Sequence, residues 1–241
     1  MTQLKLMKSL AISPTLQHPS AAGFSFLNSE STKVYEIINS LGIIRVVGTV
    51  TEEMTRQASK AVDDFSKSDE VKTIAFLVQS GGGGITGVKE LSDRIKQVAK
   101  PKYAFISGLG ASAAYWIASA SDVIFTTATS EVGGVGVFLS FFDESKMLEQ
   151  IGVKVNFFAS GPLKGLGTPG VSLTQDQSDH LQMRVDELAM IFKADMIIHR
   201  AGIDDSALQG QTFLGRAAIA SNLADALVID EQDFFRQINP I

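Results

Sequence analysis

The sequence predicts an α/β fold with a mostly parallel β-sheet and a long helix near the C-terminus. Three observations support this prediction. Apolar segments typical of strands alternate with amphipathic helical segments, and the order strand, glycine-rich turn, helix occurs three times. The 241 residues, 45% hydrophobic and 20% charged, are enough to bury a large core. Such repeats indicate parallel strands joined by right-handed crossovers.

Each element follows from its local pattern. Runs rich in β-branched and aromatic residues predict strands at 42–50, 71–79, 101–107, 122–127 and 153–159. The helical spacing of apolar residues predicts helices at 52–66, 88–99, 112–120, 143–151 and 174–200. The glycine-rich stretches 80–86 and 108–111 are expected to form a loop and a turn.

The long helix has a clear start, because Thr174 and Gln177 form a capping box. Its apolar residues make one stripe that indicates core or subunit packing rather than a ligand site: Leu181, Val185, Leu188, Phe192 and Met196. Residues 1–30 are expected to be a loosely ordered extension. Residues 31–241 contain no linker rich in Pro or Ser, so we expect them to form a single domain.

Composition excludes several classes of function. The net charge of −5 gives no basic surface for phosphates, so we expect no nucleic-acid partner. With no cysteine and three histidines, a thiol nucleophile is excluded and a metal site is not expected. Nothing in the sequence calls for a cofactor.

One uncharged stretch, residues 103–121, is long enough to raise the question of a membrane span. Its centre, "SGLGAS", would break a helix, and its last residues are only weakly apolar. The N-terminus fails as a signal peptide or anchor, because its apolar run is short and Pro14 follows. We therefore expect a cytoplasmic protein without a stable membrane anchor.

Two glycine-rich turns are candidates for chemistry, because both follow strands and precede helices. "SGGGG" at 80–84 lacks the Lys-Ser/Thr ending of a phosphate loop, so an oxyanion site is the better interpretation. The second turn leads to Ser112 at a helix start, among small neighbours that leave room for a substrate. Taken alone, Ser112 is better interpreted as a helix cap than as a nucleophile.

A serine nucleophile needs a base, and histidine is a poor candidate here. His180 and His199 lie on the long helix rather than at strand ends, which disfavours a Ser-His-Asp triad. Lys164 stands out because it follows the strand predicted at 153–159, in a loop with almost no other charge. A lysine in an apolar site can act as a general base. The alternative is an ordinary solvated loop lysine.

Longer segments resemble a known family. "GLGASAAYWIASASDVIFTTATSEVGGVGV" resembles the nucleophile segment of the signal peptide peptidase family of Ser-Lys serine proteases, and "LVQSGGGG" its oxyanion loop. "VKVNFFASGPLKGLGTPGVSLTQDQ" resembles the segment with its catalytic lysine, and "FLGRAAIASNLADALV" its closing signature. The resemblance runs from about residue 42 to residue 230.

The resemblance implies a ClpP/crotonase-like spiral of strand-strand-helix units, with the long helix added, and a serine endopeptidase. It makes Ser112 the nucleophile and Lys164 the general base. The oxyanion donors would be the N–H of Ala113 and that of Gly82 or Gly83. The expected partners are a peptide or protein substrate and further copies of the same chain, since members of this fold assemble into rings in which neighbouring subunits complete the sites.

Two departures from the family pattern are visible. The proline of the family's oxyanion loop is Gly81 here, and the serine that helps to orient the family's lysine is Gly134. Either another group holds the amine, with Ser130 or a main-chain carbonyl as the candidates, or the activity is weak or absent. Because residues 161–202 resemble the phage capsid-maturation branch, a scaffold or capsid protein is an expected substrate, cleaved in the host cytoplasm.

Two other functions remain open. Crotonase-like enzymes use the same fold to stabilise an acyl-CoA enolate, and Glu131 lies where they place an acidic residue. Against them, "GASAAYW" lacks their glycine-dense second donor turn. The third interpretation is a catalytically inactive assembly protein, which Gly134 keeps open.

Overall fold

The computed structural model describes residues 34–238 of the chain. The extension expected at residues 1–30 lies outside this range. Within it, eight strands belong to one sheet. In chain order, β1 to β8 are Tyr35–Ile38, Leu41–Val50, Thr73–Gly83, Lys102–Ala111, Val123–Thr126, Glu131–Gly133, Thr212–Leu214 and Ala226–Leu227.

The sheet is mostly parallel, which confirms the predicted fold class. Its main path runs β1-β2-β3-β4-β5-β8, and the first pair of this path is antiparallel while the others are parallel. A branch leaves the path at the carboxyl end of β4, where β6 pairs in parallel with the last three residues of β4. Strand β7 pairs antiparallel with β6. The end of β4 is therefore held by β3 on one side and by β6 on the other.

Helices connect these strands in the predicted order. In the part of the chain that the structure describes, α1 to α7 are Glu52–Lys67, Val88–Gln97, Ala113–Ser119, Ser145–Gln150, Gln175–His199, Gly215–Ala220 and Glu231–Ile238. A short 3₁₀ turn lies at Asp205–Ala207. The predicted capping box is confirmed at the start of the 25-residue α5, where both of its hydrogen bonds are present.

The sheet is covered on both faces. Alternate residues of a strand point to opposite faces. Phe76 and Val78 of β3 accordingly belong to the core that includes α1, α2 and α3. Leu77 of the same strand joins a second cluster with Phe105 and with Phe234 of α7. Because both faces are buried, the central strands β3 and β4 contain the uninterrupted apolar runs 74–78 and 103–106, and this is why they were recognisable in the sequence.

Both glycine-rich stretches proved more regular than expected. The predicted loop at 80–86 is strand as far as Gly83, because Gly82 and Gly83 pair with Thr49 and Val50 beyond an irregularity in the β2–β3 register. The predicted turn at 108–111 is also strand, since its last residues pair with β6. Pairing with distant strands outweighed the turn preference of glycine in both places.

The strand predicted at 153–159 is wrong. These residues form no strand, and all of their side chains are exposed. They belong to a segment, residues 137–172, that we call the arm; it includes α4. The alternating sequence "VKVNFF" is typical of a half-buried strand, but a strand needs a neighbour to satisfy its backbone groups. Within residues 34–238, no strand runs beside this segment.

The last part of α5 packs against α3. The Phe192 ring stacks on the Trp116 indole with ring centroids 4.3 Å apart. The indole N–H donates to Asp195 Oδ2 at 2.7 Å. Ser119 Oγ donates to the Trp116 carbonyl at 2.7 Å and lies 2.9 Å from His199 Nδ1. Because a hydroxyl has a single proton, this arrangement favours the His199 tautomer that is protonated at Nδ1.

His199 should make stability depend on pH. Burial lowers its pKa from 6.5 to about 4. Between those values the unfolded chain binds a proton that the folded chain does not, so the free energy of unfolding should fall as the pH drops from about 6.5 towards 4. His199→Gln keeps an amide beside Ser119 but cannot titrate. Urea denaturation between pH 7.5 and 5 should show a shallower loss of stability in this variant, and an unchanged slope would contradict the prediction.

Candidate active site

Ser112 stands at the junction between β4 and α3, in a backbone conformation that non-glycine residues rarely adopt. Its φ is 53° and its ψ is −129°. Two hydrogen bonds hold it there: Ser112 N–H donates to the Gly133 carbonyl at 2.9 Å, and Trp116 N–H donates to the Ser112 carbonyl at 2.9 Å. Such strain persists only where the surrounding structure imposes it. Here β6 and the first turn of α3 impose it.

The Ser112 side chain does not cap the helix. Ser112 occupies the N-cap position of α3, but its hydroxyl accepts no hydrogen bond from the first turn. The simple interpretation of this residue as a capping serine therefore does not describe its side chain. The hydroxyl is left available at a half-buried position next to the sheet edge.

Gly82 forms the wall opposite Ser112. A Cβ atom at Gly82 would lie 2.8 Å from Ser112 Cβ, 2.9 Å from the Ala111 oxygen and 3.0 Å from the Ala113 nitrogen. The φ of Gly82 is also +95°, in the region that favours glycine. Only glycine lets β3 approach the serine so closely. The structure thus brings three of the predicted site residues, Ser112, Gly82 and Ala113, into one place.

The predicted oxyanion donors differ in whether their backbone N–H groups already have an acceptor. Gly82 N–H already donates to Ser80 Oγ at 3.0 Å. Ala113 N–H lies in the first turn of α3, where backbone donors have no partner within the helix. Gly83 is the next residue of β3, and a Cβ atom there would collide with the Val50 oxygen. Of these N–H groups, the one at Gly82 is therefore the least free to meet a ligand.

The residue that replaces the family's orienting serine also touches this junction. Gly134 has a φ of +62°, and a Cβ atom there would lie 3.2 Å from the Ser112 nitrogen and 3.1 Å from Ala111 Cβ. Ser130 lies in the turn between β5 and β6 and is fully buried. Its hydroxyl accepts from Gly108 N–H at 2.9 Å and is 2.7 Å from Thr127 Oγ1.

No hydrogen bond joins Lys164 to Ser112 in the part of the chain that the structure describes. Lys164 lies in an exposed turn of the arm, where its backbone N–H donates to the Gly161 carbonyl. Among residues 34–238, its ammonium has no hydrogen-bond or ion-pair partner. The turn is fastened to the start of α5, because Gln177 Nε2 donates to the Pro162 carbonyl at 2.6 Å. Residues 34–238 do not form the apolar surroundings expected for Lys164.

Glu131 has a local partner. Its carboxylate is exposed at the start of β6 and accepts from Thr212 Oγ1 of β7 at 2.6 Å. This hydrogen bond joins the two strands of the branch, so the side chain has a structural role in holding β7.

Sequence reasoning missed a group of residues behind Ser112. Trp116 and Asp195 join α3 to α5 but are 79 positions apart, so no local pattern connects them. The usable signal was composition, because Trp116 is the one tryptophan of the chain and lies one helical turn after the serine. A buried indole N–H needs an acceptor.

The sequence model of Peptidase family S49 matches residues 94–234, more than half of the chain and the part that contains Ser112 and Lys164. The protein belongs to this family. The Clp protease model matches residues 28–131, which include the β3 glycines. The resemblance seen in the motifs is therefore confirmed.

Relatives come from cells and from phages. A candidate protease of Methanocaldococcus jannaschii is 29% identical over 58% of this chain and 45% of its own length. The head-tail preconnector protein GP5 of Enterobacteria phage P21 is 26% identical over 81% of this chain and 42% of its own length. The capsid assembly protease C of Escherichia phage lambda is 27% identical over 80% and 48%. The chain thus spans somewhat less than half the length of these relatives.

Solved structures agree on the fold. A mutant of a membrane-bound stomatin-specific protease has a TM-score of 0.51 and 13% identity, with 83% of this chain and 84% of that chain covered. A crotonase-type protein of Legionella pneumophila has a TM-score of 0.53 and 12% identity, with 85% and 72% covered. The ClpP/crotonase-like fold is therefore confirmed. Among residues 34–238, no helix is both long and apolar enough to cross a bilayer.

A methyl group at Gly82 should disturb the junction, whereas one at Gly84 should not. The added methyl group of Gly82→Ala would collide with Ser112, and alanine disfavours the positive φ of this position. We therefore expect a loss of about 1–3 kcal/mol in the free energy of unfolding. Gly84→Ala is the matched control, because its Cβ would meet only the Val50 oxygen at 3.7 Å. The control should stay within about 0.5 kcal/mol of the parent. Equal stability of the two variants in urea denaturation would contradict the close approach.

Proposed function

We propose that the protein is a serine endopeptidase with Ser112 as nucleophile and Lys164 as general base. The observation that supports this most directly is the backbone conformation of Ser112, because this conformation presents a hydroxyl that does not cap α3. The Lys164 amine takes the Ser112 proton while Oγ attacks the peptide carbonyl, and the leaving amine then takes that proton. Lys164 next takes a proton from a water, the resulting hydroxide attacks the ester, and the Lys164 ammonium returns the proton to Ser112 Oγ as it leaves.

The oxyanion of the tetrahedral intermediate is stabilised by backbone donors in this proposal. Ala113 N–H is one donor, since it follows the nucleophile and has no partner within the helix. Gly83 is the preferred second donor, because Gly82 N–H is engaged by Ser80. Ser130 stays a candidate for orienting the lysine, although both groups described at its hydroxyl belong to its own turn and β4.

The site is completed by a second copy of the chain. Lys164 is exposed and fastened to the start of α5, away from the end that packs on α3. The arm also exposes large apolar side chains that a monomer has no reason to present: Phe138, Leu139, Met147, Ile151, Phe157 and Phe158. A neighbouring protomer that covers them would give Lys164 the apolar environment that a lysine base needs. A homo-oligomer is therefore part of the proposal.

The proposed substrate is a protein of phage head assembly. The names of two relatives, a head-tail preconnector protein and a capsid assembly protease, support this choice. Cleavage would then take place in the host cytoplasm. A similar relative of Enterococcus faecium has the name of a signal peptide peptidase, which supports membrane-derived peptides as the second substrate class.

Serine labelling tests the proposed chemistry. A fluorophosphonate probe should label the parent increasingly from pH 6 to 10, because the neutral amine is the form that accepts the serine proton. Ser112→Ala should abolish labelling, and Lys164→Ala should slow it by about 100-fold or more. Lys154→Ala removes another exposed lysine of the arm and is the control that should keep the parent's rate. Labelling is read by gel fluorescence and the labelled residue by mass spectrometry.

The alternatives give different results. A folded, oligomeric parent that takes no label at any pH would reject the proposal in favour of an inactive assembly protein. Thioester hydrolysis without serine labelling would favour a crotonase-like enzyme.

Mixing two inactive variants tests completion by a neighbour. Ser112→Ala and Lys164→Ala protomers, dissociated and reassembled in equal amounts, should regain labelling at about one quarter of the sites, since each site then draws its serine and lysine from different chains. The label should appear only on the Lys164→Ala protomers. Mixed oligomers that remain unlabelled would show that serine and lysine must come from the same chain.

A further inference from the structure

Helix α3 is fixed through side chains rather than through its own length. It has seven residues, all of them buried, so it is only about 10 Å long. Its polar side chains bond to distant parts of the chain: Tyr115 Oη donates to the Leu223 carbonyl at 2.8 Å, and the Trp116 indole donates to Asp195 at 2.7 Å. The position of α3 therefore depends on what these partners do.

Trp116 connects the nucleophile to α5. Its backbone N–H holds the Ser112 carbonyl at 2.9 Å. Its indole N–H holds the Asp195 carboxylate, and its ring stacks on Phe192. One residue thus touches both the strained serine backbone and the long helix.

Asp195 is an unusual residue for this place. Its side chain is only 7% exposed, and its second oxygen lies 3.4 Å from Lys89 Nζ of α2. Partial burial opposes the charge on Lys89, but Asp93 and Asp195 still raise its pKa, so the carboxylate faces a charged ammonium. Burying a carboxylate is costly unless it is paired. The Trp116 N–H and Lys89 together supply that pairing.

We propose that Asp195 is a positioning residue for Ser112. It acts by holding the Trp116 indole, which fixes the first turn of α3 and with it the φ of +53° that presents the hydroxyl. The inference rests on the proposed function of Ser112. A misplacement of about 1 Å at a reacting group can cost about 100-fold in rate. Loss of the indole's acceptor should therefore slow the acylation of Ser112 even in protein that stays folded.

The experiment separates the rate of labelling from the amount of protein that can be labelled. Asp195→Leu removes the acceptor and keeps the branched shape of the side chain, and we expect the fluorophosphonate rate constant to fall by about 10- to 100-fold, while the final labelled fraction stays that of the parent. Asp195→Asn keeps an oxygen that can accept the indole N–H and should remain within about threefold of the parent. Trp116→Phe keeps the stacking on Phe192 but loses the donor, and should slow labelling as Asp195→Leu does.

Two further measurements distinguish a slower reaction at Ser112 from a mere loss of folding stability. Asp122→Ala breaks the ion pair with buried Lys102, at the other end of β4, where Nζ and Oδ1 are 2.8 Å apart; it should lower stability without slowing the labelling of the folded protein. Because Trp116 is the one tryptophan of the chain, its emission reports directly whether the Asp195 contact has been lost.

The outcomes are distinct. Asp195→Leu with altered Trp116 emission and an unchanged labelling rate would overturn the positioning role, and so would a reduced labelled fraction at the parent's rate. A parent that is never labelled at Ser112 would overturn the proposed function and the inference together. Slow labelling in Asp195→Leu and Trp116→Phe, with recovery in Asp195→Asn, is the result that supports it.

Discussion

The strained backbone of Ser112 is the constraint on which the site depends. A residue with a side chain does not hold a φ of +53° by preference, so the surroundings must compensate for the cost. They do so from three directions: β6 accepts the Ser112 N–H, α3 closes its first turn on the Ser112 carbonyl, and Gly82 lies against its Cβ. The sheet branches at the end of β4, which is where β6, α3 and Gly82 meet around Ser112.

Glycine allows close packing at two positions around this junction. At Gly82 it allows close approach, because any side chain would collide with the serine. At Gly134 it stands where the resemblance leads us to expect a serine, and here too the space is narrow and the φ positive. The departure from the family pattern is thus accommodated by the local geometry, and a hydroxyl at this position would have to share space with the Ser112 nitrogen.

The sequence predicted the parts of this molecule that depend on local pattern. Buried parallel strands are apolar without interruption, and the capping box at Thr174 is visible in four residues, so both were recognised. It failed where distant pairing decides the structure. The glycines of β3 and β4 became strand because β2 and β6 offered partners, whereas residues 153–159 have the alternation of a strand but no partner. The Trp116–Asp195 contact, between residues 79 positions apart, belongs to the same class.

The length of α5 has a consequence of its own. The Pro162 turn is attached at Gln177 and α3 is attached at Asp195, and the rise of a helix places these two attachments about 27 Å apart. A continuous helix keeps that distance fixed, so the length of α5 sets the separation between its attachment to the turn that contains Lys164 and its attachment to the core that contains Ser112. Removing a full turn of α5 would shorten the distance between the two attachments by about 5 Å. Removing a single residue would shorten it less but would also rotate one attachment relative to the other by about 100° about the helix axis. Substitutions on the exposed face of α5 leave this distance unchanged, whereas a change in the number of its residues alters both the distance and the direction between the two attachments.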